Sequence, residues 1–199
     1  MRETRIGVAV MAGGKSFRMG RDKAELMHDS GLCFLNTLCK RMDFFAYRYV
    51  SVNCRRGYPV DGFEPVMDTV ADAGPAGGIL SVLSRTEADA VLVLACDMPD
   101  FSADEARRLV SLYDGEDVLV PVISETMQPL AAIYSRNALP FFRNSLASGN
   151  FRLRDIIRQT RFRTVQVPPE SAFNYANINT PEEYQLYKDN HSIFFKTKD

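Results

Sequence analysis

The chain has 199 residues, 46% of them hydrophobic and 25% charged, which is enough for one sizeable core and short for two, so one domain over 1–199 is expected. Its 24 Lys and Arg nearly balance 25 Asp and Glu, and a net charge of −1 leaves no global basic field for nucleic acid or an anionic membrane. No apolar stretch approaches the roughly 18 residues of a spanning helix. The start, Met1-Arg2-Glu3-Thr4-Arg5, carries no signal-peptide pattern, so a cytoplasmic protein is expected.

In chain order, the apolar run 6–10 predicts a first strand, and it opens directly into Met11-Ala12-Gly13-Gly14-Lys15-Ser16-Phe17-Arg18-Met19-Gly20-Arg21-Asp22-Lys23. Gly13 and Gly14 let consecutive backbone N–H groups turn toward one anion and let a phosphate approach the main chain. Arg18 can grip phosphate oxygens as a fork, whereas Lys23 acts as a point charge, so the loop suits a nucleoside triphosphate. The common phosphate loops fail on spacing. A P-loop needs a glycine where Met19 stands and Ser or Thr where Ala24 stands, and a Rossmann fingerprint needs a glycine where Lys15 stands.

A short hairpin is expected over 25–32, turning on Asp29-Ser30-Gly31, followed by a helix over 33–42 and a strand over 47–52. Gly74-Pro75 then makes a rigid turn, and a helix follows over 76–83. The run 90–95 is apolar throughout and ends at Asp97-Met98-Pro99, so Asp97 is read as a cleft carboxylate, a hard oxygen ligand for Mg²⁺. Ser102 and Glu105 predict a capping box for a helix over 103–113. Further strands are expected at 117–122 and 129–134, and helices at 137–147 and 153–159. Thr180-Pro181-Glu182-Glu183 starts a last helix to about residue 188. Apolar runs alternating with helices predict a mostly parallel sheet covered on both faces, with ligands at the carboxyl ends of its strands. Cys33, Cys39, Cys54 and Cys96 form no C-x-x-C pair, and His28 and His191 are isolated. They read as thiols packed in the core and polar surface groups rather than a zinc site.

Residues 11–23 resemble the signature Leu-x-Gly-Gly-x-Ser-x-Arg-Met-Gly-x-Asp-Lys of nucleotidyltransferases that join a sugar, alcohol or cofactor phosphate to a nucleotide, with Met11 in place of Leu. Segments 128–134 and 173–183 resemble those of one branch, the molybdenum cofactor guanylyltransferases (MobA-type). The resemblance implies an α/β fold: a single Rossmann-like nucleotidyltransferase domain with a mostly parallel twisted sheet and helices on both faces. It implies transfer of GMP from GTP to the terminal phosphate of molybdopterin, with pyrophosphate released and Mg²⁺ held by Asp97. Arg18, Lys23 and Asp97 would carry catalysis. The nucleotide would meet Met11, Ala12, Gly13, Gly14, Lys23, Asn53, Asp68, Gly77 and Asp97. Gly77 would offer a flat base bare main chain, although Gly74-Pro75-Ala76-Gly77 departs from the usual Gly-Pro-Leu-Ala/Gly.

Related cytidylyltransferases carry Ala where this chain has Gly13, and the missing methyl is expected to leave room for a purine. Asn177 and Asn179 are implied at the cofactor or metal side of the cleft, with Asx turns before the last helix as the competing reading. Arg152 and Arg154 could receive the molybdopterin phosphate, while Arg158 reads as a solvated helix face. Implied partners are other cofactor-biosynthesis proteins or molybdoenzyme-specific chaperones. Two alternatives stand beside this reading: a relative using CTP or a sugar phosphate, and a non-catalytic nucleotide-binding regulator. The regulator is disfavoured because Asp97 and Lys23 are both present.

Overall fold

The computed structural model describes residues 4–13, 23–53 and 59–196, with side chains as far as Asp189. Its centre is an eight-stranded sheet in the order β3-β2-β1-β4-β7-β5-β6, with β8 added on β5. The strands are β1 (Ile6–Met11), β2 (Arg48–Val52), β3 (Glu64–Met67), β4 (Ala90–Ala95), β5 (Val118–Ile123), β6 (Thr126–Met127), β7 (Ala131–Ser135) and β8 (Phe162–Gln166). From β3 to β4 every pairing is parallel, with Val8 opposite Arg48 on one side of β1 and Leu92 on the other. β7 then runs antiparallel to both β4 and β5, while β8 returns parallel to β5.

The alternation of β1 and β4 explains why helices cover both faces. Val8, Val10, Leu92 and Leu94 point to one side and pack with Leu35 and Leu38 of α1 (Phe34–Arg41) and Leu109 of α3 (Ala103–Leu112). Ala9, Val91 and Val93 point to the other. There they meet α2 (Gly74–Arg85), α4 (Leu139–Ala147) and α5 (Leu153–Ile157) through Ile79, Leu83, Phe142 and Ile156. Each such side chain contributes about 1.5–3 kcal/mol on full burial, and Leu92, Leu94, Ile79 and Phe142 are all 0% exposed. α6 (Pro181–Lys196) is seated by a smaller cluster of Leu26, Phe34, Ile178 and Tyr187.

Several local expectations are corrected. α6 runs to Lys196 rather than about residue 188, because no Gly or Pro interrupts 182–196. Its N-terminus is a reciprocal box: Glu183 N donates to Thr180 Oγ1 and Thr180 N to Glu183 Oε2, both at 3.2 Å. The box predicted at Ser102 is only half made. Ser102 Oγ accepts from Glu105 N at 3.1 Å, but Ser102 N donates to Asn174 Oδ1 at 2.8 Å instead of to Glu105. The hairpin at 25–32 turns as expected, with His28 N donating to Leu32 O at 2.8 Å, yet its pairing is one bridge, Met27 to Cys33. His28 is not a plain surface group: it is half-buried, Ser30 N donates to its Nδ1 at 2.9 Å, and its Nε2 lies 3.2 Å from Arg41 Nη2. The side chain of His191 lies outside the described residues. Among the described residues no helix is long and apolar enough to cross a membrane.

Candidate active site

The carboxyl ends of β1, β2, β3 and β4 are laced together by backbone bonds, and these place the predicted residues at one sheet edge. Ala12 N donates to Ser51 O at 2.9 Å, Asp68 N to Val52 O at 3.0 Å and Cys96 N to Met11 O at 3.2 Å. Ala12, Gly13, Asn53, Asp68 and Asp97 therefore share that edge, where the chain leaves β1 for β2 on one side and β4 lies on the other. Gly14 and Arg18 lie outside the described residues, as does Cys54.

Lys23 Nζ donates to Asp97 Oδ2 at 2.9 Å and to Asn179 Oδ1 at 2.6 Å, so three predicted site residues far apart in sequence meet at one point. The last segment is pinned there from behind, since Ile178 N donates to Asp97 O at 2.9 Å. Asp97 was expected as an open cleft carboxylate; instead its side chain is 19% exposed and Lys23 is 18% exposed, a paired and partly desolvated couple. Two oxygens converging on a cation form a hard donor set of the kind Mg²⁺ takes, with substrate phosphates and water completing its shell. Both oxygens already meet one cation, the Lys23 ammonium, so the residues fit the metal. Among the described residues no group of three or more His, Cys, Asp and Glu assembles. Cys39 and Cys96 are buried, and burial pushes the Cys39 thiol up to about 12, so it stays protonated and inert.

Beside this point opens a cleft of about 680 Å³, whose lining includes Asp97, Asn177 and Asn179 together with Arg152, Arg154 and Arg158. The charge-bearing carboxylate and the basic wall thus face one cavity. Arg158, read from the sequence as a solvated helix face, is exposed, and from the C-cap of α5 it also lines that cleft. Gln128, Leu130 and Met98 line the same cleft.

The glycines predicted to meet the nucleotide also serve packing. A β-carbon on Gly13 would lie 3.1 Å from Asn53 N, and one on Gly77 would lie 2.9 Å from Ala73 Cβ and 3.2 Å from Val70 O. Gly77 is buried, so the bare helix start expected there is offered to solvent only at Gly74 and Pro75. A β-carbon on Gly78 would lie 2.4 Å from Met11 Cε and 2.5 Å from Ser51 Oγ. Glycine at 78 leaves space for Ser51 Oγ to donate to Asp68 Oδ1 at 3.1 Å. Desolvation holds the half-buried Asp68 carboxyl above the ordinary carboxylate range, and the Ser51 hydrogen bond opposes that rise.

The family described as the MobA-like NTP transferase domain matches residues 8–165. The chain belongs to that family. It is 29% identical over 185 residues to a probable molybdenum cofactor guanylyltransferase of Clostridium perfringens, covering 89% of this chain and 93% of the relative. A protein of the same description from Opitutus terrae is 31% identical over 195 residues, covering 92% and 95%. The fold matches the molybdopterin-guanine dinucleotide biosynthesis protein A of Archaeoglobus fulgidus with a TM-score of 0.79 at 22% identity, over 94% of this chain and 98% of that one. This MobA-like chain is accordingly a nucleotidyltransferase. Asn177 and Asn179 lie beyond the matched 8–165, and the backbone bond from Ile178 to Asp97 carries them back to the site.

Sequence reasoning missed the residues that hold this last segment in place. Glu105 is 4% exposed and Asn174 is 3% exposed, and both bond to chain more than sixty residues away. In the sequence Glu105 showed only as a helix-cap partner and Asn174 only as part of the 173–183 segment of the resemblance.

Proposed function

We propose that this MobA-like enzyme transfers GMP from GTP to the terminal phosphate of molybdopterin and releases pyrophosphate. The observation that carries the reading is one cleft in which the Lys23–Asp97–Asn179 cluster faces Arg152, Arg154 and Arg158. A triphosphate and a second phosphate need such an arrangement, because two anions must be brought into contact before one attacks the other. The names of the relatives support guanine and molybdopterin as the two substrates.

In the proposed step an oxygen of the molybdopterin phosphate forms a bond to the α-phosphorus of GTP. The bond from that phosphorus to the pyrophosphate oxygen breaks, and the electron pair leaves with pyrophosphate. The nucleophile is already anionic near neutral pH, as a phosphate monoester has a second pKa of about 6, so no general base is required. Arg152, Arg154 and Arg158 orient the acceptor phosphate, and a guanidinium fork holds two of its oxygens at once. Lys23 turns from Asp97 toward the triphosphate and offsets charge on the leaving oxygens, assisted by Arg18 and the amides around Gly14. Asp97 would hold Mg²⁺, which supplies Lewis-acid polarisation of the phosphoryl oxygens, and Asn177 and Asn179, which line the same cleft as the three arginines, stand on the acceptor side. Asp68 and Asn53 lie on the nucleotide side.

Calorimetry with Mg²⁺ tests the reading. GTP should bind at least about tenfold more tightly than CTP, ATP or UTP, a difference of roughly 1.4 kcal/mol. Equal or tighter binding of CTP overturns the guanylyl assignment and leaves the cytidylyl relative in its place.

A further inference from the structure

A carboxylate is buried at a cost unless it is paired and hydrogen-bonded, and Glu105 on α3 is 4% exposed. Its oxygens accept from Arg108 Nε at 2.8 Å and Arg108 Nη2 at 2.7 Å, a bidentate pair within one helical turn. Oε1 also accepts from the Tyr175 hydroxyl. Burial and the neighbouring carboxylate both push the Tyr175 pKa upward, so the hydroxyl keeps its proton and donates. Neither Glu105 nor Tyr175 lines the cleft. A buried carboxylate, guanidinium and phenol are therefore assembled at a place where the proposed chemistry uses none of them.

What they do hold is the approach to the site. Asn174, one residue earlier, accepts from Ser102 N at 2.8 Å and donates through Nδ2 to Ser171 O at 3.0 Å. The Tyr175 ring meets Phe101 edge to face at 5.5 Å. The next anchor is Ile178, whose N–H donates to Asp97 O at 2.9 Å and whose side chain is 5% exposed. Only Ala176 and Asn177 separate the two anchors. A span that short leaves little backbone freedom, so the position of Asn177, and of Asn179 just past Ile178, follows from where Tyr175 is held. An apolar contact could hold the segment as firmly, but a directional hydroxyl-to-carboxylate bond also fixes its register.

We propose that Tyr175, fixed by Glu105, is a positioning residue for the acceptor half of the transfer, setting Asn177 and Asn179 against Asp97. The inference rests on the acceptor-side reading given above. The ring of Tyr175 is kept and only the hydroxyl removed in Tyr175→Phe, so Phe101 retains its neighbour and Glu105 its Arg108 pair.

Three measurements on the full chain decide it. Amide hydrogen exchange at Ile178 should accelerate at least about tenfold in Tyr175→Phe while the amides of β1 and β4 keep their protection. The KM for molybdopterin at saturating GTP should rise at least about fivefold, with the Kd for GTP within about twofold of wild type. Added to the pair Asn177→Ala and Asn179→Ala, Tyr175→Phe should cost nothing further, since its effect passes through them. Unchanged exchange at Ile178 overturns the proposal, as does a penalty that adds in full to the asparagine pair. If Ile178 loosens and the molybdopterin KM does not move, the functional claim falls although the clamp is real. If the asparagine pair itself leaves that KM at its wild-type value, the acceptor-side reading fails, and the exchange result distinguishes that failure from a failure of the clamp.

Discussion

Asp97→Asn removes one charge and almost no volume from the point where Lys23, Asp97 and Asn179 meet. The carboxylate lies 2.9 Å from Lys23 Nζ, so at an effective dielectric of about 20 the gross Coulomb attraction is roughly 6 kcal/mol. Most of that is cancelled by the desolvation of two groups that are each about one-fifth exposed. The amide keeps an oxygen to accept from Lys23, and Asn179 Oδ1 still accepts from it at 2.6 Å. The expected net loss of stability is about 1 kcal/mol, or a Tm lower by about 2–4 °C in a chain of this size. Catalysis should suffer far more. A neutral amide is a poor Mg²⁺ ligand and offers no charge to the cluster, so kcat/KM for pyrophosphate release should fall at least about a hundredfold, equivalent to about 2.7 kcal/mol of transition-state stabilisation. Thermal unfolding and a coupled pyrophosphate assay on the same preparation give both numbers. Activity within about tenfold of wild type would remove Asp97 from the reacting centre, and a Tm fall beyond about 10 °C would show it to be a structural residue.

Replacing Arg152, Arg154 and Arg158 together with Ala should raise the molybdopterin KM at least about tenfold and leave the Kd for GTP within about twofold; unchanged kinetics would return all three to a solvated face. Asp68→Asn should raise the Tm at pH 7. Burial holds the folded-state pKa of Asp68 above its unfolded value, so the folded protein binds that proton more tightly and loses stability as pH rises from about 3.9 through the raised pKa. The amide escapes this loss while still accepting from Ser51, so its advantage should vanish near pH 3, and a variant less stable than wild type at pH 7 would refute the assignment.

Elements that bury both faces were legible in the sequence, whereas the sheet's edge strands and the turn from β5 into β6 were not. β4 is apolar at every position from Ala90 to Ala95 and 0% exposed over its first five residues, so its location follows from composition alone. β8 reads Phe-Arg-Thr-Val-Gln and sits at an edge with only Phe162 and Val165 half-buried, a pattern that a search for continuous apolar runs passes over. β3 carries Pro65, which is tolerated because the strand lies at the end of the sheet. The turn from β5 into β6 uses Ser124 at φ 45° and Glu125 at φ 66°. Both are left-handed, yet the sequence offers neither the Asn nor the Gly that usually marks such a hairpin. That unmarked hairpin is why the reversal of β7 was not foreseen. The site followed the same division: Asp97 and Lys23 stood out as chemistry at a strand end, whereas Glu105 and Tyr175 gain their meaning only from a contact across seventy positions.

The glycines at the head of the sheet also hold backbone elements close together. Gly13 was expected to leave room for a purine, and it also relieves a contact within the protein, since the β-carbon of an alanine there would press on Asn53 N at 3.1 Å. An alanine at 13 would thus act on a bound base by displacing the end of β2 and Asn53 with it, an indirect effect of a few tenths of an ångström. Gly77 and Gly78 likewise seat α2 against the 70–73 loop and against Met11 and Ser51. What these three positions secure is close approach of backbone elements, and one consequence is that Ser51 and Asp68 stay within 3.1 Å of each other at the sheet edge. Under the guanylyl reading proposed above, discrimination between bases would fall to the polar side chains so placed, Asp68 and Asn53 among them. The comparison of GTP with CTP binding reads their choice directly.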